Sequence, residues 1–235
     1  AESVKDAANS ALKSSVEKII DSIQIKEVDG IQREVVGGIV EIKRDLEGNK
    51  VLPIRPIVFG GDDATFICDG RLGLTLTDFY LRQLTSKNLA DGKPLFARAG
   101  VAVVKSHYPF ARAYALAEEL AASAKKFIRV RQPDSDISAI DWHFAVSGLV
   151  LGLDEIRKRD YHARQGDLTM RPLIMGSDIG PEWRTWDTFT NIINEFQGSI
   201  INGHEARTTE KQWSRNKLKT LRTVLREAPQ SVEQF

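Results

Sequence analysis

Between Glu2 and Gln24 the apolar residues Val4, Ala7, Ala8, Ala11, Leu12, Val16, Ile19, Ile20 and Ile23 recur at steps of three and four. That spacing predicts a helix over residues 2 to 24, with most charges on its other face. Residues 25 to 50 break the pattern: they are polar and carry Gly30, Gly37, Gly38 and Gly48. Within them, Val35-Val36 and Ile39-Val40-Glu41-Ile42 fit either short strands or a helix resumed after a break. Asp45 to Lys50 reads as a turn. The segment is a long connection or a small insertion, and its acidic residues, Asp29 and Asp45 among them, read as solvated.

The period then shortens. Ile57-Val58-Phe59 and Thr65-Phe66-Ile67 are runs of β-branched and aromatic residues, which favour strands. Gly60-Gly61-Asp62-Asp63 stands between them. The two glycines would supply the positive φ of a tight hairpin, lifting Asp62 and Asp63 to its tip. Leu72, Leu74, Leu76, Phe79, Tyr80 and Leu84 predict an amphipathic helix beginning near Gly70, and residues 86 to 94 a polar loop. Phe96 to Val104 is a third strand, nearly continuous in small and branched residues, as in strands covered on both faces. After the loop Lys105 to Pro109, Pro109 opens a helix. It runs from Ala111 to Lys126 with Ala113, Leu116, Ala117, Leu120 and Ala124 on one face.

The second half is less sharply patterned. Phe127 to Val130 predicts a further short strand, and Gln132 to Asp136 a loop whose acids serve as caps. Ser138 to Phe144 reads as a strand or a helix start, with His143 a hydrogen-bonded core residue. Residues 150 to 164 read as helical and basic, 168 to 175 as extended. From Pro181 onward Trp183, Trp186, Phe189, Ile192, Ile193 and Phe196 recur at helical spacing and read as core. Residues 205 to 227 form a basic helix whose cations read as solvated surface.

Composition changes this picture in four places. At 235 residues and 42% apolar, the chain can build a core. A formal net charge of +1 argues against nucleic-acid binding by bulk charge. The single cysteine, Cys68, excludes an internal disulfide and a cysteine zinc site, and fits a reducing, cytoplasmic location. Four histidines without paired spacing give no metal motif. No apolar run approaches the ~20 residues of a membrane span, and the start lacks a signal-peptide pattern.

The candidate chemistry sits at the hairpin. Two adjacent carboxylates repel each other, and a hard divalent cation such as Mg²⁺ or Mn²⁺ would relieve that repulsion while also taking phosphate oxygens as ligands. The plainer reading is that acidic residues beside glycines merely tolerate left-handed turn geometry and stay in water. Lys125 likewise reads either as a complement to its helix C-terminus or as a phosphate contact.

The order of helix, Gly-Gly-Asp-Asp hairpin, helix, strand, and helix ending in lysine is the β-α-β-β-α-β pattern of an α+β, ferredoxin-like palm without its first strand. Arg55 to Asp63, taken with Ala99-Gly100-Val-Ala-Val-Val-Lys105-Ser106-His107-Tyr108-Pro109, Ala117-Glu-Glu-Leu120 and Ala124-Lys125, resembles the second palm domain of the CRISPR polymerase. That protein is the large subunit of type III CRISPR effector complexes, and the chain looks closest to its stand-alone or divergent members. The Trp142-His143 region and Arg171-Pro172 also look like the family. Nucleotide cyclases and GGDEF-type diguanylate cyclases share the fold.

The resemblance implies a palm core over residues 1 to 130, and over 131 to 235 the palm's completion and a helical C-terminal extension. It implies nucleotidyl transfer, with ATP or another nucleoside triphosphate joined into cyclic oligoadenylate-like second messengers in antiviral defence. Asp62 and Asp63 would be catalytic and hold Mg²⁺ or Mn²⁺. Gly60 and Gly61 would let the backbone approach the nucleotide. Lys125 would meet triphosphate oxygens, and Ser106 and His107 the base or ribose. The family joins nucleotides between two palms, so a second palm is implied, as a homodimer or a further domain, with RNA or CRISPR-type proteins as other partners and no membrane. The family also carries a metal-binding carboxylate on a strand ahead of its first helix, which is not visible here. That motivates a second reading, a catalytically inactive palm that binds nucleotide or scaffolds a partner. A third is a diguanylate cyclase-like enzyme, although Ala64 follows the acidic pair where that family has phenylalanine.

Overall fold

The computed structural model describes residues 2–60, 63–89, 92–133, 135–145, 152–164, 166–176, 183–197, 213–227 and 229–233. Helix α1 (Glu2–Asp21) follows the predicted periodicity but stops before Ile23, which enters a strand. Its buried row is Ala7, Ala8, Ala11, Ser15 and Ile19. Ser15 is tolerated there because its hydroxyl donates to Ala11 O at 2.8 Å.

The open alternative over residues 25 to 50 resolves as strands. β1 (Ile23–Val28), β2 (Ile31–Val36) and β3 (Val40–Glu41) form an antiparallel meander. Asp29 (φ 53°) and Gly30 (φ 76°) join β1 to β2, both in the left-handed region that a two-residue hairpin turn requires. Asp45 makes the next turn, between β4 (Lys43–Arg44) and β5 (Lys50–Val51). Its carboxylate accepts from the Asn49 and Glu47 N–H groups at 2.8 and 3.0 Å. Hydrogen bonds from Asn49, which stabilise the carboxylate, hold its pKa below the usual carboxylate range. The meander buries Val36, Val40 and Ile42 in a cluster with Ile19, Leu72 and Leu76.

β6 (Ile54–Gly60) and β7 (Asp63–Cys68) form the predicted hairpin, with Gly60 opposite Asp63 at its closed end. The register slips between Pro56 and Val58, and the irregularity accommodates a proline that cannot donate to the ladder. Helix α2 (Gly73–Thr85) follows, then β8 (Arg98–Val104), α3 (Phe110–Arg131) and β9 (Ala139–Ala145), which lies beside β8.

α3 is longer than the sequence suggests. The expected strand over 127 to 130 is instead its last turn, because Ile128 continues the buried four-step row of Leu116, Leu120 and Ala124. β8 differs from its expected double cover. All seven of its residues are half-buried, and among the described residues only one of its edges is paired.

β7 and β8 run in the same direction. A Cβ built on Gly70 or Gly73, just past the end of β7, would meet Val103 or Val101 of β8 at 3.1 or 3.3 Å. At the other end, Ala64 of β7 and Leu95 and Ala97 ahead of β8 pack on one cluster of Ala8, Ala11, Tyr80 and Leu84. The strands therefore start together, beside the closed end of the hairpin.

The chain forms two compact units, Ala1–Phe144 and Ala145–Phe235. The boundary expected after residue 130 falls within α3, and β9 belongs almost wholly to the first unit. In the second unit, α4 (Leu153–Tyr161) leads into a small hairpin of β10 (His162–Ala163) and β11 (Gly166–Asp167), where His162 Nδ1 lies 3.0 Å from Asp167 Oδ1. β12 (Leu173–Ile174) is fully buried, and Ile174 bridges Thr185 ahead of α5 (Trp186–Gln197). The predicted basic helix is seen as α6 (Arg215–Val224), followed by α7 (Pro229–Glu233). Residues 205 to 212 of that prediction lie outside the described residues. Trp213 packs on Phe196 with ring centroids 5.1 Å apart, and Lys217 sits over its ring at 4.0 Å. The aromatic stripe thus reaches a neighbouring segment, and a lysine read as solvated surface has a specific partner. Among the described residues no helix is long and apolar enough to cross a membrane.

Two buried protons tie this core to pH. Burial pushes the Cys68 thiol from 9.0 up to about 12, with the Asp69 charge adding to it. Burial likewise pushes the Tyr80 hydroxyl from 10.0 up to about 12. Both folded-state values lie above the unfolded ones. Their contribution is complete below pH 9 and is lost as pH rises toward 12, because the unfolded chain releases these protons first. Urea midpoints measured from pH 8 to 11 are expected to fall for the wild type and to fall less above pH 10 for Tyr80→Phe. Identical slopes would place the loss on other groups.

Candidate functional site

The site is built from the hairpin outward. Asp63 opens β7 with its side chain exposed, and among the described residues its carboxylate has no ion pair or side-chain hydrogen bond. Other acids nearby in sequence are structurally engaged. Asp69 is paired with Arg71 at 2.9 Å, and hydrogen bonding to that guanidinium, the largest influence, lowers its pKa. Asp78 is paired with Arg82 at 2.7 Å. Asp63 differs from them as a carboxylate open to solvent at the first position of β7.

Gly60 was expected to supply turn geometry. Instead it is the last residue of β6, and its φ lies outside the left-handed region. A Cβ built on it would meet nothing within 4 Å. Among the described residues its missing side chain therefore relieves no strain and no clash; it leaves the backbone bare toward solvent. Gly61 and Asp62 lie outside the described residues.

Lys125 is exposed on α3. Gly100 of β8 faces the backbone of Ala117 and Ala121, and Lys125 is one turn, about 6 Å, further along the helix. The helix runs toward the start of β8. After it ends, Ser138 Oγ accepts from Ala97 N–H and Ala139 N–H donates to Ala97 O, each at 3.1 Å. Lys125 thus belongs to the same end of the strands as Asp63. Ser106 and His107 do not. They are exposed in the turn that follows β8, closed by Tyr108 N–H donating to Lys105 O at 2.9 Å. Seven strand residues separate the two ends, about 23 Å at the usual rise. The structure therefore brings Gly60, Asp63 and Lys125 to one end and puts Ser106 and His107 at the other.

The hairpin end also holds a cavity of about 440 Å³ that sequence reasoning did not single out. Leu89, Pro94, Leu95 and Phe96 give it apolar walls, and Lys93, Arg98 and Asp136 give it charge. Leu95 and Ala64 share one cluster, which places the cavity beside the start of β7. The signal was present: Arg98 is the one charged residue in the strand Arg-Ala-Gly-Val-Ala-Val-Val. Asp136, read as a capping acid, is a cavity wall.

Exposed carboxylate oxygen is the donor chemistry that Mg²⁺ and Mn²⁺ accept. Among the described residues no three His, Cys, Asp or Glu side chains converge to hold a metal. Among the described residues Asp63 therefore offers a single carboxylate of the type hard cations accept, and no all-protein cage surrounds it. No protein-family model matches the chain, and no curated protein matches it.

Proposed function

We propose that this chain is a nucleotidyltransferase of the palm type, using Mg²⁺ or Mn²⁺ to join nucleoside triphosphates, ATP foremost, into cyclic oligoadenylate-like products in antiviral defence. The observation that carries the reading is the exposed carboxylate of Asp63, unpartnered among the described residues, at the hairpin end where Lys125 and a charged cavity also gather. The order of hairpin, α2, β8, α3 and β9 supports it. So do the edges of β7 and β8 that are unpaired among the described residues, two co-directional strands joined by α2; a ferredoxin-like palm has a further strand between strands so placed.

In this reading Asp62 and Asp63 hold the cation, Lys125 meets triphosphate oxygens as a point charge, and Gly60 keeps the backbone clear for close approach. The bound ion would supply Lewis-acid neutralisation of the triphosphate and acidify the attacking ribose hydroxyl. A second palm, from another copy or a further domain, would complete the nucleotide-joining site, with RNA or CRISPR-type proteins as further partners and the cytoplasm as its setting. Ser106 and His107, at the far end of β8, have no role at this site unless such a partner presents another nucleotide there.

Incubation with ATP and Mn²⁺ followed by chromatography tests the reading: oligoadenylate products and pyrophosphate are expected. ATP binding without turnover would instead identify an inactive, nucleotide-binding palm, a reading favoured by the lack of three converging metal ligands among the described residues. Preference for GTP would point to diguanylate cyclase-like chemistry. Gly60→Ala provides an internal check. The added methyl meets nothing within 4 Å, so the melting temperature is expected to stay unchanged while turnover falls. Equal turnover would remove Gly60 from the site.

A further inference from the structure

The cavity at the start of β8 has its own chemistry. Arg98 is half-buried in its wall, and among the described residues it has neither an ion pair nor a side-chain hydrogen bond. A guanidinium stays charged at any working pH and offers five donors in a fork that matches phosphate oxygens. Asp136 lines the same cavity without bonding Arg98, so the two opposite charges do not cancel by direct contact. A ligand that satisfies both needs an anionic, acceptor-rich end and a donor end. The site is an open groove of about 440 Å³, large enough for more than a phosphate ion and open to solvent along one side. Phe96 adds an aromatic ring of the kind on which a base stacks, and Leu95 and Pro94 add apolar surface beside it.

We propose that this cavity binds a nucleoside phosphate, with Arg98 on the phosphate oxygens and Asp136 accepting from a nucleoside hydroxyl or amino group. The inference rests on the palm reading for the choice of a nucleotide. It differs in needing no metal, because its phosphate grip is made by a side chain. It also provides a binding surface at the same end of the strands as Asp63, one that the sequence motif alone does not supply.

Calorimetric titration of the full chain with ATP, and separately with inorganic pyrophosphate, in the presence of EDTA tests it. The wild type is expected to bind both. Arg98→Gln and Arg98→Glu are expected to weaken both by about tenfold or more, since a charge-assisted bidentate contact is lost. Asp136→Asn is expected to weaken ATP and leave pyrophosphate unchanged or tighter. Circular dichroism on each variant confirms that it is folded, and Arg98→Gln serves if the charge reversal does not fold.

Wild-type protein that binds neither ligand in EDTA overturns the proposal, as does Arg98→Gln with wild-type affinity for ATP. The same samples are assayed for product with Mn²⁺. Product formation with an unaltered KM for ATP in Arg98→Gln overturns the cavity site and leaves the enzyme standing. Arg98-dependent binding with no product from the wild type upholds the cavity and removes the enzymatic reading.

Discussion

Gly100→Ala is expected to force α3 away from β8 and lower the melting temperature by about 10 °C, at the usual 2–4 °C per kcal/mol for a chain of this size. A Cβ built on Gly100 falls 2.0 Å from Ala117 O, 2.5 Å from Ala121 N and 2.9 Å from Leu120 Cβ. The first two are helix backbone atoms, which cannot rotate out of the way. Ordinary contact would return only if the helix moved outward by more than about 1 Å, since carbon atoms settle near 3.5–4.0 Å. The buried row Leu116, Leu120, Ala124 and Ile128 would move with it. Overpacking a core usually costs about 1–3 kcal/mol, and a clash with two backbone atoms of one helical turn belongs at the upper end of that range. Differential scanning calorimetry checks the value, with Gly60→Ala as the control in which the same methyl meets open space. A shift of less than about 2 °C for Gly100→Ala, a fraction of the cost usual for overpacking, would mean that the helix is not seated as closely as described. The effect extends to function. α3 carries Lys125, and the loop after it carries Asp136, so nucleotide affinity is expected to fall in the same variant.

Replacing Asp62 and Asp63 together by alanine should have the opposite profile. Mn²⁺-dependent product formation is expected to fall by about a hundredfold or more, because a catalytic cation contributes several kcal/mol of charge stabilisation and each 1.36 kcal/mol is a factor of ten. The melting temperature is expected to hold. Asp63 is exposed and, among the described residues, engages no partner whose loss would be felt. Removing two adjacent negative charges also relieves repulsion at the hairpin end. Asp63→Asn alone keeps the shape and is expected to raise the Mn²⁺ concentration needed for half-maximal turnover. Product from the double variant equal to that from the wild type would end the enzymatic account. A large fall in melting temperature would recast Asp63 as a structural residue.

How much of this was legible beforehand follows from what each signal depends on. The Gly60 to Asp63 hairpin, the helices around Leu76 and Leu120, and the strand at Val101 were readable because period and side-chain type settle them over a few residues. The Asp29-Gly30 turn is equally local, a standard two-residue hairpin signal, but it lies in a polar, glycine-rich stretch without strong flanking strand patterns. The end of α3 was misjudged because Phe127 to Val130 suits a strand in isolation. Only the packing of Ile128 in line with Ala124 keeps the segment helical.

Ser106 and His107 show the other limit. They follow the strand that begins at Arg98 and stand close to it in the sequence, so they read as neighbours of the acidic pair. Strand direction decides otherwise, and no local pattern reveals it. Arg98 and Asp136 show the converse, since they are 38 positions apart in the sequence and meet only because α3 returns the chain to the start of β8.

The sequence by itself determined the elements and their order, the acidic hairpin, and the apolar faces that make a core, because these are properties of neighbouring residues. The tertiary structure alone decided which end of the strands each polar side chain occupies, that Gly60 is bare rather than bent, and that a charged cavity forms beside Ala64 and Leu95. Those outcomes depend on the direction in which β7, β8 and α3 are laid against one another. That direction is set by long-range packing, at Gly100 above all, and not by any stretch of chain read alone.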